Sequence, residues 1–170
     1  MPTYIALLRA VNVGGTGALP MSELRAMCVA EGFTKIQTYI ASGNVLFFSK
    51  QPESRVKNAL EKRLGAYAGK RVVVAVRTPD EMSAVLKANP FPKSPPNSTV
   101  AIFLSEEPPP GALENIRGQT DELVGLGARE IYVAYGASMA RSKLKIPGAK
   151  GGTARNINTI KKLIELAAKL

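Results

Sequence analysis

Residues 35–48 read KIQTYIASGNVLFF. Two runs rich in Ile, Thr, Tyr, Val and Phe flank Ser42, Gly43 and Asn44. β-Formers on either side of a short Ser/Gly/Asn turn predict a β-hairpin. On the N-terminal side, residues 3–11 (TYIALLRAV) are apolar on both faces, as expected of a central strand covered above and below. Between strand and hairpin, residues 20–32 (PMSELRAMCVAEG) place Leu24, Met27 and Cys28 at helical spacing, with Pro20 early and Gly32 as the stop. On the C-terminal side, residues 53–67 carry Val56, Leu60 and Leu64 four apart, an amphipathic helix, and residues 71–76 (RVVVAV) are a short β-branched strand. The order β-α-β-β-α-β over residues 3–77 is the split βαβ, or ferredoxin-like, pattern.

The second half repeats the theme. Thr78 suits an N-cap, Pro79 the first helical position, and Asp80 and Glu81 oppose the helix dipole, so a linking helix follows the first subdomain. Residues 89–98 (NPFPKSPPNS) are proline-rich and read as a linker or crossover. Strands are expected at 99–104, 122–126 and 130–135, a short helix at 111–117, and a final helix at 153–169. The fold class is therefore α+β, two ferredoxin-like subdomains with antiparallel sheets: 1–78, a linking helix and Pro-rich crossover at 79–98, and 99–170.

Composition narrows the chemistry. The chain of 170 residues holds no His, no Trp and one Cys. Ser-His-Asp and Cys-His catalytic arrangements cannot form, and the usual zinc sites and any intrachain disulfide are excluded. Cys28 sits in an apolar helical stretch and reads as a small buried hydrophobe. No motif calls for a metal or a cofactor. No run approaches the ~20 apolar residues that span a bilayer, and the N-terminus lacks a signal-peptide pattern, so a cytoplasmic protein without a membrane partner is expected.

The net charge of +10 is concentrated near the C-terminus, where residues 136–170 hold eight basic side chains against Glu165 alone. Such a segment is either an anion- or nucleic-acid-facing surface or a solvated face that aids solubility.

Several ordered matches carry a resemblance. They are residues 4–15 (YIALLRAVNVGG), Pro20-Met21, residues 39–45 (YIASGNV), Ser142-Lys143-Leu144 and residues 153–159 (TARNINT). In these the chain resembles the uncharacterised, mostly bacterial domain-of-unknown-function family 1697. The resemblance implies two ferredoxin-like subdomains and brings no established activity. The family often has Lys or Asn after the glycine pair, where this chain has Thr16-Gly17, and often Trp where this chain has Ile157.

The expected topology gathers the end of the first strand, the hairpin turn and the start of the fourth strand at one sheet edge. Arg9, Asn12, Gly14, Gly15, Ser42 and Asn44 fall there, with Lys70 and Arg71 alongside. Glycine backbone N–H groups before a helix can cradle an anion, and Arg9 can grip phosphate or carboxylate in two-pronged fashion. Equally, Asn12, Ser42 and Asn44 can close the turns themselves. The second glycine turn, residues 148–156 (GAKGGTARN), enters the last helix, with Thr153 as expected N-cap and Lys150, Arg155 and Asn156 beside it. Cations at a helix N-terminus are locally unfavourable, which points to an arriving anion.

These features point to binding of an anionic ligand, phosphorylated or carboxylated, or of nucleic acid, at the two glycine-rich turns. The alternatives are an enzyme acting on a phosphorylated small molecule, with Tyr39 as a proton donor, and a structural or protein-interaction domain such as a homodimer.

Overall fold

The computed structural model describes residues 2–9, 19–40, 43–136 and 139–170. Eight strands and four α-helices are assigned among them. They are β1 (Thr3–Leu8), α1 (Met21–Ala30), β2 (Thr34–Tyr39), β3 (Asn44–Phe48), α2 (Glu53–Ala68), β4 (Val74–Arg77) and α3 (Pro79–Lys87). There follow β5 (Thr99–Phe103), β6 (Leu123–Leu126), β7 (Glu130–Ala134), β8 (Thr153–Asn156) and α4 (Ile157–Ala168). The chain divides into two compact units, Met1–Met82 with Leu163–Leu170, and Ser83–Lys162.

In the first unit the sheet order is β2-β3-β1-β4, all neighbours antiparallel. This is the split βαβ arrangement expected from the sequence. Alternation along the strands sends Tyr4, Ala6, Leu8, Val45, Phe47, Val74 and Val76 to one face. There they meet Leu24, Met27 and Cys28 of α1 and Val56, Leu60 and Leu64 of α2. Phe33 stacks on Phe47 with ring centroids 4.3 Å apart. Ile5, Leu7 and Leu46 on the other face are also fully buried, so β1 is central and covered on both sides. Gly69 closes α2 in the left-handed conformation that glycine adopts without strain.

In the second unit the order is β6-β7-β5-β8, again antiparallel. Counted from the first strand of each sheet, the same order recurs. So does the register: Ile5 lies opposite Arg77, and Ala101, the third residue of β5 as Ile5 is of β1, lies opposite Arg155. Arg77 and Arg155 thus occupy equivalent places. Both are buried, and each donates from Nη1 to the carbonyl of the residue before it, at 2.9 and 2.8 Å. Each also stands directly before a helix N-cap. Thr78 and Glu81 cap α3 reciprocally, Thr78 N–H to Glu81 Oε1 and Glu81 N–H to Thr78 Oγ1. Asn156 caps α4 by accepting from Thr159 N–H at 2.8 Å.

Two expectations need correction here. Residues 111–117 form turns and no helix, because Asn115 adopts φ 59° and the bonds are of the short type, Ala112 N–H to Pro109 O and Glu114 N–H to Gly111 O. The last helix starts at Ile157 and not at Thr153. Residues 153–156 are spent on β8, whose pairing with β5 outcompetes helix at that point. Phe47→Ala should lower stability by about 3–5 kcal/mol, since it removes a fully buried ring and its stacking contact with Phe33; a urea unfolding midpoint moved by much less would show that the core refills.

Candidate functional site

Antiparallel pairing on both sides of β1 brings three chain segments together. Leu8 N–H donates to Gly43 O and Arg9 N–H to Val73 O, each at 2.9 Å. The end of β1 therefore sits between the hairpin turn and the approach to β4, as the topology requires. Arg9 is exposed there, and so are Lys70 and Arg71, just ahead of Val73. Among the described residues none of these three makes an ion pair. Asn44 is fully buried and its Nδ2 donates to Tyr39 O at 3.0 Å, so this amide closes the hairpin. Asn12, Gly14, Gly15 and Ser42 lie outside the described residues.

The second glycine turn has a different character. A single turn of 3-10 helix, Pro147–Ala149, leads into it. The amides of Ala149, Lys150 and Gly152 donate to Ile146, Pro147 and Ala149 carbonyls, at 3.0, 3.2 and 3.0 Å. Gly152 is required by packing: a Cβ there would stand 2.4 Å from Ile102 Cγ2. Lys150 is exposed. Arg155 lies within a strand, and burial pulls its guanidinium down to about 10 from an ordinary 12.5. It does not flank the helix terminus as a solvent-facing cation. Thr153 is no N-cap either; its hydroxyl is buried and has no hydrogen-bond partner among the described residues. At the α4 terminus Ile157 N–H donates to Pro96 O, so the proline-rich segment occupies one of the helix's open donors. Beside it lies a cleft of about 230 Å³, lined by Leu86, Asn89, Ser94, Pro96, Ile157 and Lys161 among others.

Sequence reasoning passed over another polar cluster. Glu122 is buried, and its carboxylate accepts from Ser142 Oγ, from Thr120 N–H at 2.7 Å and from Thr120 Oγ1 at 3.1 Å. Those donors, Ser142 foremost, lower its pKa from 4.5 to about 2. Ser142 Oγ also accepts from Leu144 N–H. The Ser-Lys-Leu motif is thus an anchor for its own loop. The one cysteine is buried, and burial pushes its thiol up to about 12, which fits a core residue and no nucleophile. Among the described residues no group of three or more Cys, Asp or Glu could hold a metal ion, and no helix is long and apolar enough to cross a membrane.

Two four-stranded antiparallel sheets with one shared strand order, and helices beside them, define an α+β protein. The chain belongs to the family described as Protein of unknown function (DUF1697), whose model matches residues 1–132. The resemblance noted at residues 142–144 and 153–159 lies beyond that match. In fold the chain is similar to a conserved bacterial protein from Streptococcus pneumoniae, at 23% identity and TM-score 0.80, with 98% of each chain covered. No curated protein matches the chain.

Thr153→Val keeps the side-chain shape and removes the orphaned hydroxyl. It should raise stability by up to about 1–3 kcal/mol in thermal unfolding, whereas a loss would reveal a partner for that oxygen. Glu122 is held ionised by the fold, so its contribution is complete above the unfolded-state value of 4.5 and vanishes as pH falls through about 2. Urea midpoints followed across that window should fall less steeply for Glu122→Gln than for the parent chain.

Proposed function

We propose that the first unit binds a small phosphorylated ligand at the sheet edge where β1 ends. The observation that supports this reading is the convergence of Arg9, Lys70 and Arg71, exposed and without ion pairs among the described residues, at one end of one sheet. Like charges gathered without ion pairs raise the energy of the free protein and lower that of a complex with an anion, and the nearby Glu61 carboxylate, bonded to Val74 N–H, is already paired with Lys57. A guanidinium offers phosphate two parallel donors, and the ammonium of Lys70 adds a compact charge. Gly14 and Gly15, whose backbone donors are expected to serve the same ligand, lie outside the described residues.

The second glycine turn has no part in this reading. The amides of Ala149, Lys150 and Gly152 are bonded within the chain and Arg155 is buried, which leaves Lys150 as its exposed cation. Titration calorimetry with inorganic phosphate and pyrophosphate tests the proposal. Saturable binding is expected, weakened about tenfold or more by Arg9→Ala, the scale of a hydrogen bond to a charged group. Binding that Arg9→Ala leaves unchanged, or no binding at low salt, refutes the assignment.

A further inference from the structure

Residues 141–146 (RSKLKI) alternate in exposure as a strand does: Arg141, Lys143 and Lys145 are exposed, while Ser142, Leu144 and Ile146 are partly buried. The inward side is fixed at three points. Ser142 is bonded to Glu122, Leu144 N–H donates to Ser142 Oγ, and Ile146 packs on the cluster of Leu104, Ala112 and Ile131. Arg117 pairs with Lys145 through both backbone bonds, at 3.0 and 2.8 Å. Gly118 seals the ribbon next to this bridge: a Cβ there would stand 2.2 Å from Lys143 O. Two cations thus sit directly opposite one another, their Cβ atoms about 5 Å apart, an arrangement that destabilises a β pair. Among the described residues Arg117, Lys143 and Lys145 make no ion pair. The nearby Glu122 carboxylate is buried and already engaged.

We propose that this ribbon, Arg117, Lys143 and Lys145 on the second unit, is a docking surface for the phosphate backbone of nucleic acid. Charge complementarity and spacing select this occupant. Alternate residues of a strand repeat every ~6.6 Å, close to the separation of neighbouring phosphates along an extended nucleic-acid strand. The exposed positions of the ribbon carry no aromatic or aliphatic anchor of the kind that centres a protein interface. The neutral side chains beside it are engaged in the loop, Gln119 Nε2 donating to Glu122 O and Thr120 Oγ1 to Glu122 Oε1. Contacts from these three cations to phosphate carry no sequence information. It is separate from the phosphate site proposed for the first unit and stands or falls independently of it.

The test is fluorescence anisotropy of the full chain with a labelled single-stranded oligonucleotide of mixed sequence. Three phosphate contacts give a plot of log affinity against log salt with slope about −2, or roughly a twentyfold loss between about 50 and 200 mM salt. The triple variant Arg117→Gln, Lys143→Gln, Lys145→Gln should lose at least tenfold in affinity at the lower salt and flatten the slope. Lys143→Arg with Lys145→Arg, which keeps the charges, should restore both, and circular dichroism checks that each variant folds. The same tenfold loss is expected when the triple variant is made on an Arg9→Ala background. The proposal is overturned by absence of binding at low salt, by a triple variant that binds as the parent does, or by Arg9→Ala abolishing the signal. Equal competition by poly-glutamate also overturns it, in favour of an acidic protein partner.

Discussion

Each sheet is organised by a first strand that is hydrogen-bonded on both sides. β1 lies between β3 and β4, and β5 between β7 and β8. A strand in that position has no free row of backbone groups, so its own polar atoms are satisfied whatever its side chains are. It can then be apolar on both faces, as Ile5, Leu7, Ala6 and Leu8 are. The antiparallel direction of both neighbours does the rest. The residue that leaves β1 emerges between the β2–β3 turn and the approach to β4, so Arg9 acquires basic neighbours sixty residues away in sequence. The candidate edge of the first unit is a product of strand order.

Much of the first unit was legible because its signals are local and agree with one another. The hairpin at residues 35–48, the Leu/Val spacing of α2 and the Thr78-Pro79 entry to α3 each follow from side-chain period or capping chemistry, and each appears where expected. The second unit was harder to read at two places. Residues 111–117 have helix-forming side chains, but a left-handed Asn115 and a proline triplet ahead of them favour tight turns. Residues 153–156 look like a helix entry because TARN carries capping residues, yet the strand they form is fixed by pairing with β5, which is remote in sequence. Asn156, not Thr153, then becomes the cap. The alternation of RSKLKI was visible in principle as a period of two; a neighbouring glycine-rich loop masked it.

Two glycine-rich stretches look alike in sequence, and the second lies within the described residues. In the turn at residues 148–152, glycine is demanded by close packing against Ala112 and Ile102, and the amides serve the loop itself. A glycine-rich entry to a helix is thus an anion cradle only where its donors are left over after the fold has used what it needs.

At both strand-to-helix junctions the structure leaves almost no slack. Arg77 is followed by the cap Thr78 and then α3, while β8 runs to its own cap, Asn156, and directly into α4. Each helix continues from an outer strand of a sheet without an intervening loop, and a buried guanidinium stands at the junction, so an extra residue inserted there would find no loop to absorb it.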